Sequence, residues 1–372
     1  MIVMSSITLK TITPIHIGSG EFLQNNADFV AYKRGEDAFI SVVDSRKILN
    51  LIGEEHIQDW LISIENRKES VAEFVRRYCK SITPSDYALR TIDNFSSVNQ
   101  SDTLKECMVN GIGLYYIPGS SIKGAIRTSV LTSLAKGERL GLKIRNRHNN
   151  INAKQVEKDF FGKDPNSDIF RFLRVGDAYF TDSCGIAMRM VNLNIRKQEN
   201  LLDFSKKQLV EAIASDCSTT FQLKLDDSYY HWVKKLKPES VAKMPAVMES
   251  LFTLFMTINQ CSRELVESEI NFWSDLDNYY GAEDYIESMQ LVLDEINKCE
   301  EGNECVLRIG HGSGWRFITG AWAEKLSRND FEDVKNVARP KNYKYHEYVF
   351  PKSRRVDEEG DILGFVKLTR NN

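Results

Sequence analysis

The sequence lacks the features of a membrane-bound or secreted protein. No apolar run approaches the length of a transmembrane helix, and Met1–Met4 leads directly into a strand pattern instead of a signal-peptide core. The seven cysteines are scattered with no CxxC pair, which is typical of reduced thiols. The closest pair, Cys299 and Cys305, matches no common zinc motif. We therefore expect a cytoplasmic protein that holds no metal or other cofactor and binds no membrane.

The chain also lacks the excess of positive charge that most free nucleic-acid-binding proteins carry, since its formal net charge is −3 and its pI is about 6.2. The charges are unevenly placed, however. Residues 262–301 contain twelve Asp or Glu and two Lys or Arg, whereas residues 335–372 contain nine Lys or Arg and five Asp or Glu. This distribution is compatible with one basic and one acidic side, and also with two ordinary solvated faces.

A chain of 372 residues, 42% of them hydrophobic, can build two cores. Strand, helix and further strand patterns up to about residue 195 fit the βαββαβ order of a ferredoxin-like sheet, which is also the topology of RRM domains. The second half repeats this order more loosely. We therefore predict an α+β protein with two ferredoxin-like domains, 1–195 and 196–372, which carry helical segments at about 45–105 and 226–298.

The stretch Tyr115–Arg127, with the sequence YYIPGSSIKGAIR, combines the signals of a strand, a turn and a helix. The apolar residues up to Ile117 predict a strand, and Pro118-Gly119 ends it. Ser120 or Ser121 is placed to cap the helix that follows. A helix that begins here would offer free N–H groups to an anion.

Two cations lie on one face of this predicted helix. With the cap at Ser120, Lys123 is in the first turn and Arg127 one turn later, which together with the helix start makes a phosphate site. Gly124 would let a nucleic-acid backbone come close, because it has no Cβ. The alternative is a surface helix with solvated cations. A Walker loop does not fit, because Ala125 stands where the lysine should be.

The segment GHGSGW, from Gly310 to Trp315, matches a dinucleotide-binding fingerprint only in part. Trp315 stands where the third glycine should be, and the motif comes late in the chain. Successive glycines can instead form a nest of backbone N–H groups that binds an anion, and His311, Gly312 and Arg316 favour a phosphate there. We expect Trp315 itself to belong to the core.

Four stretches resemble the RAMP proteins, the RNA-binding subunits of CRISPR effector complexes. Together they span the chain in the order of that family. The tail resembles in particular the fifth subunits of type III-A Csm complexes. The four stretches are PGSSIKGAIRT (Pro118–Thr128), TPIHIGSGE (Thr13–Glu21), RIGHGSGWRFITG (Arg308–Gly320) and the tail from FPKSRR to LGFVKL (Phe350–Leu368).

The resemblance implies a non-catalytic subunit that binds the guide RNA, the crRNA. Its implied place is the end of the complex's backbone near the 3′ end of the crRNA, where it supports crRNA maturation in antiviral defence. The implied partners are the crRNA and other Csm subunits, chiefly the adjacent backbone RAMP subunits. Whether host nucleases are also recruited is left open by the sequence.

Three alternatives remain at this point. The first is a metal-independent endoribonuclease that processes guide RNA with His16 or His311 as an acid or base. The second is a RAMP subunit of the sister Cmr complex. The third is a nucleotide-binding metabolic enzyme that uses GHGSGW, which the misplaced Trp315 disfavours.

The predicted RNA contacts combine the cations and glycines above with positions that the resemblance adds. Two of these additions are His16, for which a structural role is the alternative, and the basic turn of the tail. The basic loop 139–148 is a candidate from its charge, with a solvated loop as the alternative. The predicted RNA-contacting residues are His16, Ser120, Ser121, Lys123, Gly124, Arg127, Arg145, Arg147, His311, Gly312, Arg316, Lys352, Arg354 and Arg355.

Overall fold

The computed structural model describes residues 5–66, 69–136, 154–197, 199–276, 279–318, 320–338 and 349–371. Within these ranges the strands are β1 (Ser5–Thr11), β2 (Gly18–Gln24), β3 (Phe29–Arg34), β4 (Asp37–Val43), β5 (Ala88–Asn94), β6 (Thr103–Cys107), β7 (Tyr116–Ile117), β8 (Leu173–Val175), β9 (Ala178–Tyr179), β10 (Gly185–Asn194), β11 (Leu202–Ile213), β12 (Ser218–Leu225), β13 (Glu304–Arg308), β14 (Ser353–Asp357) and β15 (Phe365–Arg370).

The helices in the same ranges are short except for α5, α8 and α9, and no described helix is both long and apolar enough to cross a membrane. They are α1 (Ser45–Ile52), α2 (Ile57–Asn66), α3 (Val71–Val75), α4 (Pro84–Tyr87), α5 (Gly119–Ala135), α6 (Lys154–Phe161), α7 (Asp227–Leu236), α8 (Leu251–Ser274), α9 (Ala282–Lys298), α10 (Gly314–Phe317) and α11 (Arg328–Ala338).

A five-stranded antiparallel sheet, which we call the small sheet, has the strand order β13-β15-β1-β12-β8. In chain order β1, α5, β8, β12, α8 and β15 follow the βαββαβ pattern of a ferredoxin-like unit, and β13 adds an edge strand. Ile7 and Leu9 of β1 are fully buried in one cluster with Ile126 of α5 and Phe255 of α8. This burial of both helices on one face holds the unit together.

A second, larger sheet has the order β2-β6-β11-β10-β5-β4-β3, and β14 also pairs with β10. Both sheets take strands from both sides of residue 195, and β10 pairs with β11 directly across it. The predicted α+β class, with two sheet units and helical segments, is confirmed. The division at residue 195 stays a prediction, and hydrogen bonds of both sheets cross it.

The first helical segment is shorter than predicted. Helices α1 to α4 end at Tyr87, and the remaining residues up to 105 begin the strands β5 and β6. The four helices bury a small cluster of their own, which includes Ile48, Trp60 and Phe74. Alternating burial along β5 explains the difference, since a period of two belongs to a strand.

Two fully buried glutamates each bind an arginine and a tyrosine. Glu269 of α8 accepts hydrogen bonds from Arg354 Nε at 2.6 Å, Arg316 Nη1 at 2.6 Å and Tyr285 Oη at 2.6 Å. Burial by itself raises the pKa of Glu269, but the two arginines outweigh burial and lower that pKa to about 2. The carboxylate is therefore charged at neutral pH and joins α8, α9, α10 and β14.

The second buried glutamate, Glu211 of β11, binds one arginine, one tyrosine and a backbone N–H. Arg90 donates Nε at 2.7 Å and Nη2 at 2.9 Å to its two carboxylate oxygens, and Tyr115 Oη donates at 2.6 Å. The backbone N–H of Cys107 donates at 3.0 Å. Glu211 thus connects β5, β6 and β11 to the turn that leads into α5.

Replacing Glu269 by glutamine should lower the free energy of unfolding by about 3–5 kcal/mol, because Arg354 would stay buried without a counter-charge and Arg316 would keep only Glu324. Urea unfolding followed by circular dichroism measures this difference. Glu295→Gln is the matched control, since Glu295 pairs with Lys298 on the surface and should change stability by less than about 1 kcal/mol. Equal effects of the two variants would contradict the structural role of Glu269.

Candidate RNA interface

The glycine-rich loop after β13 is shaped by contact with the segment that follows β1. Gly310 has φ +84°, and a Cβ there would lie 2.7 Å from the carbonyl oxygen of His16. The backbone N–H of His311 donates to that same oxygen at 2.8 Å. Gly312 follows with φ +94°, also in the left-handed region. Glycine is therefore required at 310 both for its conformation and for this close approach.

The tail completes the same junction. The N–H of Ile309 donates to the carbonyl of Gly364 at 2.7 Å, and the N–H of Gly364 donates to the carbonyl of Pro14 at 2.9 Å. A Cβ on Gly364 would lie 2.4 Å from the oxygen of Ile309. Three of the four stretches that resemble RAMP proteins therefore meet at one point.

His16 and His311 lie side by side at this junction, with their ring centroids 5.7 Å apart in an edge-to-face arrangement. His16 is 2% exposed, and its Nδ1 is 2.6 Å from the backbone oxygen of Glu211. Because a carbonyl only accepts, Nδ1 carries the proton. Burial, and to a smaller extent Lys105, lower the pKa of His16. His16 is thus a neutral, buried group that supports the loop.

His311 is exposed on the same loop, yet it is also neutral at neutral pH. Partial loss of water around the ring lowers its pKa first, and the nearby Lys105, His16 and Arg355 lower it further, to about 4. The ring can therefore donate or accept a hydrogen bond without adding a charge.

Lys105, Lys206, His311 and Arg355 define what we call the basic face. Lys105 Nζ lies 5.5 Å from the ring centroid of Phe22, and Arg355 Nη1 donates to the backbone carbonyl of Lys206 at 3.0 Å. Burial and the charge of Arg355 lower the pKa of Lys105. In the described part of the chain, none of the three cations pairs with a carboxylate. Their positive charge is available to a phosphate.

Lys352 extends this face along β14. It is half-buried, and its pKa is lowered first by burial and then by the positive charges of Arg196 and Lys206. A cation whose pKa is lowered by neighbouring positive charge gains from a nearby anion. The predicted residues His311, Gly312, Lys352 and Arg355 are thus brought together, and His16 lies beneath them.

The other two predicted arginines of these stretches point into the protein. Arg354 is 6% exposed and, like Arg316, is bound to Glu269. Arg316 Nε also pairs with Glu324 at 2.8 Å. An arginine whose donors are held by buried carboxylates has little left to offer a phosphate, so neither belongs to the basic face. The adjacent Trp315 packs against Phe350, with ring centroids 4.8 Å apart.

The start of α5 differs from the prediction. The helix begins at Gly119 with Pro118 as N-cap, and no side chain of Ser120 or Ser121 caps it, so the predicted serine cap is wrong. Asp177 accepts the N–H of Gly119 at 2.7 Å instead. This N–H of the helix start, which the sequence prediction left free for a phosphate, is therefore already bound to a carboxylate. Ser120 is exposed and Ser121 half-buried.

The two cations of α5 also have different surroundings. Arg127 pairs with Asp168 at 2.9 Å and with Glu157 at 3.2 Å, and its guanidinium lies 4.3 Å from the ring centroid of Phe161. Lys123 is half-buried and forms no ion pair with a described residue, and burial lowers its pKa.

Gly124 has open space where a Cβ would be, whereas Gly119 needs its missing Cβ for packing against Val175. Lys123 and Gly124 are therefore compatible with a ligand near this helix. Arg145 and Arg147 lie outside the described residues.

Sequence reasoning missed Lys105, Lys206 and the exposed Phe22. A single lysine in a strand carries no signal by itself. Only the register of β2 and β6 places Phe22 opposite Lys105, and Lys206 lies on an exposed part of β11 where the pairing with β10 is irregular. No group of three or more His, Cys, Asp or Glu able to hold a metal ion occurs among the residues that the structure describes.

Comparison with known proteins identifies the fold. A model of the RAMP superfamily matches residues 8–317. The chain belongs to the RAMP superfamily. It is similar to a curated protein of Methanocaldococcus jannaschii, described as CRISPR system Cms protein Csm5, with 26% identity over 336 residues that make up 87% of this chain and 74% of that protein. The predicted membership of this family is confirmed.

Two solved structures share the fold of this RAMP protein. One is a chain in a cryo-EM structure of a Csm-crRNA-target RNA ternary complex in a type III-A CRISPR-Cas system, with a TM-score of 0.69, 18% identity, and coverage of 99% of this chain and 100% of that chain. The other is the crystal structure of T. onnurineus Csm5, with a TM-score of 0.64, 19% identity, and coverage of 96% and 99%.

The depressed pKa values of His16 and His311 predict a loss of stability in acid. Both side chains are neutral in the folded protein, whereas in the unfolded chain they bind protons as the pH falls below about 6.5. Stability should therefore decrease as the pH is lowered from about 7 towards 5. The variant with both His16→Gln and His311→Gln should lose less stability over this range.

Thermal unfolding at each pH measures this difference within each protein, so that any general destabilisation by the substitutions cancels. His231→Gln, which removes an exposed histidine of α7, is the control. A double variant whose stability depends on pH as steeply as that of the wild type would contradict this account of the two histidines.

Proposed function

We propose that this RAMP protein is an RNA-binding subunit of a type III-A Csm effector complex in the cytoplasm, that it caps the backbone near the 3′ end of the crRNA, and that it supports crRNA maturation. The observation that carries the proposal is the basic face. Lys105 and Arg355 lie near His311 of the glycine-rich loop, Lys206 lies beside Arg355, and none of the three has a carboxylate partner among the described residues. The names of its relatives, a Csm5 protein and a chain of a Csm-crRNA complex, support this assignment over a Cmr subunit.

Binding at the basic face reads phosphates and shape more than bases. Lys105 and Arg355 supply positive charge, and the neutral His311 supplies a hydrogen bond. Contacts of this kind position an RNA but carry no sequence information. A guide-binding subunit needs this property, because guide sequences differ while their backbone is constant.

The adjacent histidines favour one second candidate, a guide-processing endoribonuclease. General acid–base catalysis requires that the group reach the reacting atoms. His16 fails this requirement, since it is almost fully buried and its Nδ1 is bound to the backbone oxygen of Glu211. His311 is exposed, but the histidine beside it in the described part of the chain is this buried one. Repeat RNA should stay intact when incubated with the pure protein, with or without divalent metal. Cleavage that His311→Ala abolishes would establish the nuclease instead.

Replacing Lys105 and Arg355 by alanine together should weaken binding of every RNA sequence to a similar degree. Loss of two phosphate contacts should reduce the slope of log affinity against log salt by roughly 1.4, since each contact to a single strand contributes about 0.7. Filter binding at several salt concentrations measures both quantities. The control removes Lys10 and Lys298, two exposed lysines that already pair with Asp216 and Glu295. An unchanged slope in the folded double variant would refute the basic face.

The proposed position at the backbone end follows from the shape of a head-to-tail stack. Such a stack continues into a filament unless one subunit blocks the next contact. This chain carries helices beyond the ferredoxin-like unit that suit a terminal subunit, namely the cluster of α1 to α4 and the helices α7 and α9. Helix α9 lies within the acidic stretch 262–301.

Native mass spectrometry of the purified complex should therefore find one copy of this protein. Deletion of its gene should leave complexes whose crRNAs have longer or ragged 3′ ends, because nothing then defines that end of the backbone. Sequencing of the co-purified RNA measures the ends. Several copies per complex, or unchanged 3′ ends after the deletion, would contradict the capping role.

A further inference from the structure

Helix α7 exposes apolar side chains that the fold does not use. Trp232 is 58% exposed and Leu236 is 59% exposed, whereas Tyr230 of the same helix is buried in the core. Tryptophan is highly buried on average in folded proteins, because its large ring gains most from leaving water. An exposed Trp232 therefore indicates a binding role more than a packing role.

The ring of Trp232 is held in place by a stack of flat groups. Tyr229 lies nearly parallel to it, with ring centroids 5.9 Å apart and an interplanar angle of 21°. The guanidinium of Arg171 lies 5.8 Å from the Tyr229 centroid and 5.3 Å from the Phe172 centroid. Arg171 Nη2 also donates to Tyr229 Oη at 3.1 Å. The exposed ring is thus the outer layer of a supported platform.

Exposed lysines follow Trp232 along the chain. Asp226 neutralises Lys224 and Arg174 nearby, at 2.9 and 3.1 Å. Lys235 and Lys237, by contrast, are exposed and form no hydrogen bond or ion pair with a described residue through their side chains. Stacked aromatic rings flanked by unpaired cations are the combination with which proteins bind single-stranded nucleic acids.

The platform lies far from the basic face. His16 follows the C-terminal end of β1, which runs from Ser5 to Thr11. β12 runs antiparallel to β1 with Leu223 opposite Ser5, so α7, which follows β12, begins at the other end of the small sheet. One RNA that touches both sites must therefore span the length of this sheet.

We propose that Trp232, supported by Tyr229 and Arg171, stacks on an unpaired base of RNA while Lys235 and Lys237 bind the adjoining phosphates. The inference rests on the proposed RNA-binding function and adds to it a second contact of different chemistry. The basic face reads phosphates, whereas the platform binds a base through its flat surface and so tolerates any base.

Trp232→Ala in the full-length protein tests the stacking. The probe is a long fluorescent polyuridine RNA, and affinity is measured by anisotropy. Trp232→Ala should weaken binding roughly tenfold, with an unchanged salt dependence, because a stacked base contributes no counterion release. Trp232→Phe should retain most of the affinity. Tyr280→Ala, which removes another exposed ring, is the control and should have no effect.

A second probe separates the contribution of the bases to affinity from that of the RNA backbone. An abasic RNA of the same length should bind the wild type and Trp232→Ala equally, since an abasic RNA has no base to stack on Trp232. If Trp232→Ala binds polyuridine as the wild type does while loss of Lys105 and Arg355 weakens binding, the platform is refuted and the proposed function stands. If the wild type binds neither probe, both the proposed function and the platform are refuted.

If Trp232→Ala binds RNA normally but no longer joins its complex, α7 is a protein-docking surface and the inference is overturned.

Discussion

The buried contact of Glu211 is the interaction on which the candidate site depends. Its carboxylate binds Arg90 and Tyr115, and its backbone oxygen binds His16. The oxygen of His16 in turn accepts the N–H of His311. One residue thus fixes the large sheet, the entry to α5 and the glycine-rich loop relative to one another. A loop held in this way presents its exposed atoms in one geometry, which lowers the entropy lost when a ligand binds.

The cations of the protein fall into two groups that differ in their neighbouring residues. Arg316 and Arg354 join buried carboxylates and hold the fold, and Arg127 pairs with two carboxylates beside α5. Among the described residues, Lys105 lies near the ring of Phe22, Arg355 donates to the carbonyl of Lys206, and neither pairs with a carboxylate, so both keep their charge for an external anion. This separation explains how a chain of net negative charge can present a basic face. Charge near each group, rather than total charge, decides which residues can hold RNA.

The local signals of the sequence predicted the α+β class, the loop after β13 and a helix after Pro118-Gly119. These depend on periodicity and turn residues, which act over a few positions. The serine cap failed because Asp177, fifty-eight residues away from Gly119, takes its place. For the same reason, the sequence could not show which arginine of the tail binds a buried carboxylate, since Arg354 binds Glu269, which is eighty-five residues away. Such partners are set by sheet register and helix packing, which local pattern does not encode.

Photo-crosslinking of crRNA to protein in the complex purified from its own cells tests the central claim most directly. Mass spectrometry of the crosslinked peptides then locates the RNA on this chain. The account predicts crosslinks in the peptides that carry Lys105, Lys206 and His311, on the strands and loop around the basic face. Crosslinks confined to the acidic helices α8 and α9, with none on those peptides, would contradict it.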